Sequence, residues 1–199
     1  MTTTFFLVRH AAHDRVGTVL CGRMPGVSLG SVGKAQAERL SERLANENVA
    51  AVLTSPLERA RETAEPIAAR IGRPLEICEP IVEIEFGGWS GMSFDELTPV
   101  PLWKQWNSAR SVTRPPDGET MLEVQARIVG AMEQMRKTYS GRPVVLVSHG
   151  DVIKAALLYY LGMPIDAYGR FDIDPASIST VTVADWGAKV LRLNEVVAA

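Results

Sequence analysis

Apolar residues fall into two rhythms that alternate along the chain. Short, nearly continuous runs occur at Thr3–Val8, Ala50–Thr54, Pro74–Cys78 and Pro143–Ser148, and runs with polar alternation follow at Ser177–Ala184 and Ala188–Val196. Each has the length of a strand. The run Val144-Val145-Leu146-Val147 is so unbroken in branched aliphatic side chains that it predicts a strand covered on both faces. Between the runs, apolar residues recur at steps of three and four. Leu57, Ala60, Ala64, Ile67, Ala68 and Ile71 form one stripe over 56–71, and Met121, Val124, Ile128, Met132 and Met135 form another over 119–139. A third helix over 31–46 turns Ala37, Leu40 and Leu44 inward, and a fourth follows Gly150 through Ile153, Ala156, Leu157 and Leu161. The start of 56–71 carries its own signals: Ser55 as cap, Pro56 at the first helical position, and Glu58 completing a capping box with Ser55.

Strands alternating with helices predict an α/β fold around a largely parallel sheet. In such sheets ligands bind beyond the carboxyl ends of the strands. The first strand runs into Arg9 and His10, and the second into Thr54 and Ser55, with Arg59 in the first turn of the next helix. The Val144 strand runs into Ser148, His149 and Gly150, and Glu83 and Glu85 lie in the glycine-rich loop EIEFGGWSGM after the third strand. Taken singly, either histidine is equally a hydrogen-bonded core residue and Arg59 a solvated helix face. Two arginines, two histidines and a carboxylate converging on one sheet edge favour a phosphoryl site instead. Arginine presents a planar fork that matches phosphate oxygens, and a helix N-terminus adds N–H donors. A neutral imidazole can attack phosphorus, and a loop carboxyl group can protonate the departing alkoxide and then activate water. The cations supply charge stabilisation, so neither metal nor cofactor is expected.

Composition narrows the setting. A length of 199 residues points to one domain over 1–199, large enough to bury about 70% of its unfolded surface. A net charge of −2 gives no reason to expect nucleic acid or an anionic membrane as partner. Cys21 and Cys78 are the two cysteines, and neither belongs to a C-x-x-C pair, which argues against a disulfide or zinc framework and for a reducing compartment. MTTTFFLVRH lacks a basic n-region, and no run approaches the roughly 20 apolar residues of a membrane span. A soluble, cytoplasmic protein is expected, with no oligomeric state assigned.

Ordered motifs then resemble those of the histidine phosphatase superfamily, also called phosphoglycerate mutase-like. LVRHA is similar to the family's opening R-H-G, LGSVGKAQA to L-T-x-x-G-x-x-Q-A, and SPLERARETAE to S-x-x-x-R-A-x-x-T-A. EIEFGGWSG resembles the loop bearing the catalytic acid, PPDGETMLEVQAR the following helix start, and VLVSHG the second histidine block, so the match runs from about residue 4 to residue 155. The resemblance implies a three-layer sandwich with helices on both faces of the sheet. It implies His10 as the phosphorylated nucleophile and Arg9, Arg59, His149 and Gly150 as the phosphoryl site. Glu83, four residues before Gly87, is the implied proton donor, with Glu85 its rival. Ala11 replaces the family's glycine, and Ala12, His13 and Val16 stand where an acid, a hydroxyl and an asparagine are usual. Two customary phosphate ligands are thereby lost, and His13 is either their substitute, touching phosphate or substrate, or an exposed loop residue.

The implied activity is metal-independent hydrolysis of a small phosphomonoester. A mutase-type transfer is the alternative, disfavoured because the region 89–118 is short; Trp89, Trp103 and Trp106 there are either core or pocket. A non-catalytic phosphate-binding module is weaker still, since all five reactive groups are present. Three unrelated motifs lack the context their chemistry needs. Gly26-Val27-Ser28-Leu29-Gly30 has the G-x-S-x-G form but no apolar strand before it. Asp172-Ile173-Asp174 likewise lacks a leading strand, and neither cysteine has an arginine six positions on, Val27 and Ile84 standing there. His10, His13, His149 and Asp151 could hold a metal, but their spacing falls in loops beside two arginines.

Overall fold

A computed structural model describes residues 1–197. Strands β1 (Thr3–Arg9), β2 (Ala51–Thr54), β3 (Leu75–Ile77) and β4 (Val144–Ser148) pair in parallel in the order β3-β2-β4-β1. β5 (Ser177–Ala184) then joins β1 antiparallel, and β6 (Gly187–Val196) pairs antiparallel with β5 at the edge. The sheet is thus mixed, with its parallel part on the side that carries the predicted chemistry.

Side chains alternate across this sheet and both faces are covered, which explains the continuous apolar runs. Phe5, Leu7, Leu53, Val144 and Leu146 enter one core with α5 (Met121–Thr138) and α6 (Gly150–Tyr160). Phe6, Val8, Val52, Val145 and Val147 enter the other with α1 (Ser31–Leu44) and α2 (Glu58–Ile71). Helices therefore lie on both faces, as expected.

The start of α2 departs from the sequence reading. Leu57 is its N-cap residue and makes no side-chain cap bond. Ser55 is drawn elsewhere: its Oγ accepts the Leu57 N–H at 3.3 Å and lies 2.7 Å from His149 Nε2. Glu58 instead accepts the Gly26 N–H at 3.0 Å, so the expected capping box does not form. A reciprocal box does form at α5, between Thr120 and Glu123.

Residues 89–118 hold two short helices, α3 (Phe94–Leu97) and α4 (Pro101–Ser108). Trp89 and Trp106 are buried in the core, and Trp103 packs edge-on against Trp89 with ring centroids 5.3 Å apart. Their role is packing. Cys21 and Cys78 are buried free thiols. Among the described residues no helix is long and apolar enough to cross a membrane.

Candidate active site

Parallel pairing aligns the ends of β1, β4 and β2. The His10 N–H donates to the Ser148 carbonyl at 2.9 Å and the Ser55 N–H to the Val147 carbonyl at 2.9 Å, so three chain segments leave the sheet side by side. Beyond them opens a cavity of about 280 Å³ lined by Arg9, His10, His13, Arg59, Glu83 and Gly150 among others. His149 is fully buried and packs against His10, ring centroids 5.2 Å apart.

Local bonds fix the tautomer of His10. Its Nδ1 lies 2.9 Å from the Ala11 carbonyl, a contact that requires the proton on Nδ1, while Arg59 Nε donates to Nε2 at 3.3 Å. Nε2 therefore carries the lone pair, which points toward Arg59 on the cavity wall. Burial, then Arg59 and Arg9, hold the pKa of His10 well below its ordinary value, and the same causes with His10 lower that of His149. His149 pairs through Nε2 with Ser55 Oγ at 2.7 Å, and its second ring nitrogen is Nδ1. That Nδ1 has no hydrogen-bond partner and sits 4.0 Å from Glu83 Oε2.

The cations are held by backbone. Arg9 Nη1 donates to the Ile173 carbonyl, and Arg59 Nη2 to the Gly22 carbonyl at 2.7 Å. Arg9 Nε and Arg59 Nη1 remain buried without partners. Two buried guanidinium donors beside His10 are thus unsatisfied, an arrangement that an anion would complete. His13 stacks on His10 at 5.4 Å, and its Nδ1 accepts the Arg15 N–H at 3.3 Å, leaving Nε2–H free. Burial, Arg59 and Arg9 lower its pKa to about 4, so it is a neutral donor at pH 7.

The two acidic candidates part company. Glu83 is buried on the cavity wall, and burial, then Asp151, push its pKa up to about 7. Glu85 turns away, accepting the Gly87 N–H at 3.1 Å and facing Arg23 at 3.8 Å. The loop between them is clamped. Arg23 and Arg127 donate to the Glu83 carbonyl at 2.7 and 3.2 Å, and Glu119 accepts from both guanidinium groups and from the Glu85 N–H.

The other quoted motifs hold the site in place. Thr63 Oγ1 accepts the Ala11 N–H at 2.9 Å, and Gln36 Oε1 accepts the Ala12 N–H at 2.9 Å. Gly33 lies so near Ala12 that a Cβ there would stand 2.0 Å from its carbonyl oxygen. Ser28 is exposed in a loop with no strand before it, which removes the serine-hydrolase reading. Among the described residues no group of three histidine, cysteine or acidic side chains is arranged to hold a metal ion.

Sequence reasoning missed the far wall, made of Lys154, Tyr168 and the Asp172-Ile173-Asp174 loop. Lys154 had a signal, since it stands four residues past Gly150 on the same helix face. The loop had none, because Arg9 and the Ala176 N–H, which bonds the His10 carbonyl at 3.2 Å, bring it in from the far end of the chain.

The sequence and the fold have counterparts among known proteins. Residues 5–196 match the sequence profile of the histidine phosphatase superfamily, branch 1. Phosphoserine phosphatase 1 of Hydrogenobacter thermophilus is 31% identical over 195 residues, covering 94% of this chain and 90% of that protein. A probable phosphoglycerate mutase of Yersinia pestis is 30% identical over 155 residues, covering 77% and 72%. The structure of an Entamoeba histolytica phosphoserine phosphatase variant in complex with phosphoserine superposes with a TM-score of 0.87 at 25% identity, covering 96% of each chain. With its ordered motifs, its sheet and its profile match all in agreement, the chain belongs to the histidine phosphatase superfamily.

Proposed function

We propose that this chain is one domain that hydrolyses small phosphomonoesters through a phosphohistidine at His10, without a metal. The observation that carries this reading is Nε2 of His10, unprotonated, set among buried, unpartnered nitrogens of Arg9, Arg59 and His149. Those groups, with the N-terminus of α6 at Gly150 and the free Nε2–H of His13, receive the phosphoryl oxygens. The Nε2 lone pair attacks phosphorus, and the bond to the ester oxygen breaks as that oxygen takes the proton of the Glu83 carboxyl. Water then gives a proton to the Glu83 carboxylate and attacks the phosphohistidine. Phosphate leaves, and both residues return to their starting states. Arg9 and Arg59 stabilise the charge on the transferring group and repel a metal cation.

Hydrolysis is favoured over transfer by residues 89–118. Their tryptophans pack into the core, and of α3 only Phe94 reaches the cavity wall, so little excludes water from a phosphoenzyme. The relatives bear names of both kinds, phosphatase and mutase. The test is acid-free quenching of turnover with ³²P-labelled ester, followed by peptide mapping. Label on His10, with loss of turnover by about 10⁴-fold or more in His10→Ala, is expected. Label on no residue, or on another, overturns the reading.

A further inference from the structure

Beyond the phosphoryl end, two sets of side chains line the cavity, and they differ in what they leave unpaired. On the α6 wall the charges answer one another. The Lys154 ammonium lies 3.3 Å from the Tyr168 carbonyl, 4.1 Å from the centre of the Tyr168 ring and 3.6 Å from the Asp172 carboxylate. Arg110 holds Asp151 at 3.0 Å, and Asn194 donates to Asp174 at 2.8 Å. A polar alcohol would compete with these contacts. The second wall is the segment after β1, with Val16, Val19 and Leu20, joined by Phe94 of α3. It is a built surface. The Phe94 N–H donates to the Thr18 carbonyl at 3.2 Å, the Leu20 N–H to the Met92 carbonyl at 2.9 Å and the Gly91 N–H to the Leu20 carbonyl at 2.9 Å, while Val19 bridges Ser93. Backbone groups are thereby spent on one another, and what remains for the cavity is hydrocarbon.

Leu20 and Phe94 pack on the core from behind, which fixes the wall, yet both stay partly exposed. Val16 is 36% exposed and replaces an amide with a branched aliphatic side chain. Such surface gains free energy in proportion to the apolar area a ligand covers. The cavity of about 280 Å³ is near the lower end of ligand sites, so beside the phosphate it takes one ring or a short branched chain. We propose that Val16, Val19, Leu20 and Phe94 form an apolar subsite for the alcohol half of the substrate, making phosphate monoesters of small aromatic or branched aliphatic alcohols the preferred class. This rests on the hydrolase reading above, and it adds the selectivity that the phosphoryl site lacks.

Four primary alkyl phosphates test the wall. 2-Phenylethyl phosphate and 3-methylbutyl phosphate carry apolar alcohols; glycerol 3-phosphate and O-phosphoserine carry polar ones. All four release a primary alkoxide, so the chemical step is closely matched. Burial of the apolar group predicts kcat/KM about tenfold or more higher for the apolar pair. Val16→Asn and Phe94→Gln should each reduce that ratio about threefold or more, chiefly through KM, while Phe94→Leu keeps most of it. A wild type at parity or favouring the polar pair, or either folded polar variant retaining the full preference, overturns the proposal. Should circular dichroism show both polar variants unfolded, the wild-type ratio decides alone: a clear apolar preference supports the subsite and parity overturns it. A wild type inactive on all four and on p-nitrophenyl phosphate sinks the hydrolase reading instead. Calorimetric binding of 2-phenylethyl phosphate against glycerol 3-phosphate then still judges the wall: tighter binding of the former supports it, and equal Kd values overturn it.

Discussion

At the scale of single residues, the site works through opposed environments for two titrating groups. Burial beside Arg59 and Arg9 keeps His10 neutral well below its ordinary range, whereas burial beside Asp151 keeps Glu83 protonated up to about pH 7. In the proposed mechanism this leaves His10 deprotonated and Glu83 protonated over the same acidic-to-neutral window. For an alkyl phosphate, kcat/KM should hold level on the acid side of neutrality and fall above about pH 7 as Glu83 ionises. Glu83→Gln should slow such esters about 10²-fold or more and p-nitrophenyl phosphate far less, because nitrophenolate departs without a proton. Equal losses on both esters would remove Glu83 from the role. The same carboxyl group has a consequence for stability. Its folded pKa of about 7 exceeds the ordinary 4.5, so between those values the folded state holds the extra proton and stability falls as pH rises. Glu83→Gln should therefore stabilise the protein at pH 8 by on the order of 2 kcal/mol and hardly at all at pH 4. Urea denaturation at the two pH values checks this, and destabilisation at pH 8 would contradict it.

At the scale of elements, a glycine and a carboxylate lock a loop whose own regular hydrogen bonding is a single 3-10 turn at Gly87–Trp89. Gly87 has φ near 51°, and a Cβ there would stand 1.9 Å from the Pro116 carbonyl oxygen. The Gly88 N–H donates to that same oxygen at 2.9 Å, and the Glu119 N–H to the Glu85 carbonyl at 2.8 Å. The segment before α5 thus acts as a template for the acid-bearing loop. Gly87→Ala should cost about 1–3 kcal/mol of stability, from backbone strain and the clash. It should also lower kcat more on alkyl than on aryl phosphates, since the carboxyl of Glu83 moves with its loop. Wild-type stability by thermal melting would count against this account. Motifs that read as family signatures thereby acquire a mechanical reason.

At the scale of the whole molecule, two cores flank one sheet, and its parallel strands deliver the chemistry to one edge. Trp106 is 0% exposed and meets both Phe86 and Trp89 edge-on with ring centroids 6.2 Å apart. Trp106→Ala should cost about 3–5 kcal/mol while leaving KM near that of the wild type. A large rise in KM with little loss of stability would return this tryptophan to the pocket. The aromatic cluster of Phe86, Trp89 and Trp106 therefore supports the fold from beneath the loop that carries Glu83.

Periodicity, strand-end chemistry and turn residues determined the elements and the edge at which to look, because these depend on neighbours a few positions apart. His10, Arg59 and His149 were legible for that reason: each directly follows a strand or opens a helix. Local sequence suggests Ser55 as a cap, whereas its bond to His149 spans 94 positions, and no local pattern records such a partner. Glu83 and Glu85 differ little in sequence context, and only the clamp of Arg23, Glu119 and Arg127 turns one inward and the other out. Whether the tryptophans were core or pocket, and that the Asp172 loop closes the far wall, also awaited tertiary structure. Packing between distant segments decides burial, and burial decides which side chains titrate, which stay neutral and which meet a ligand.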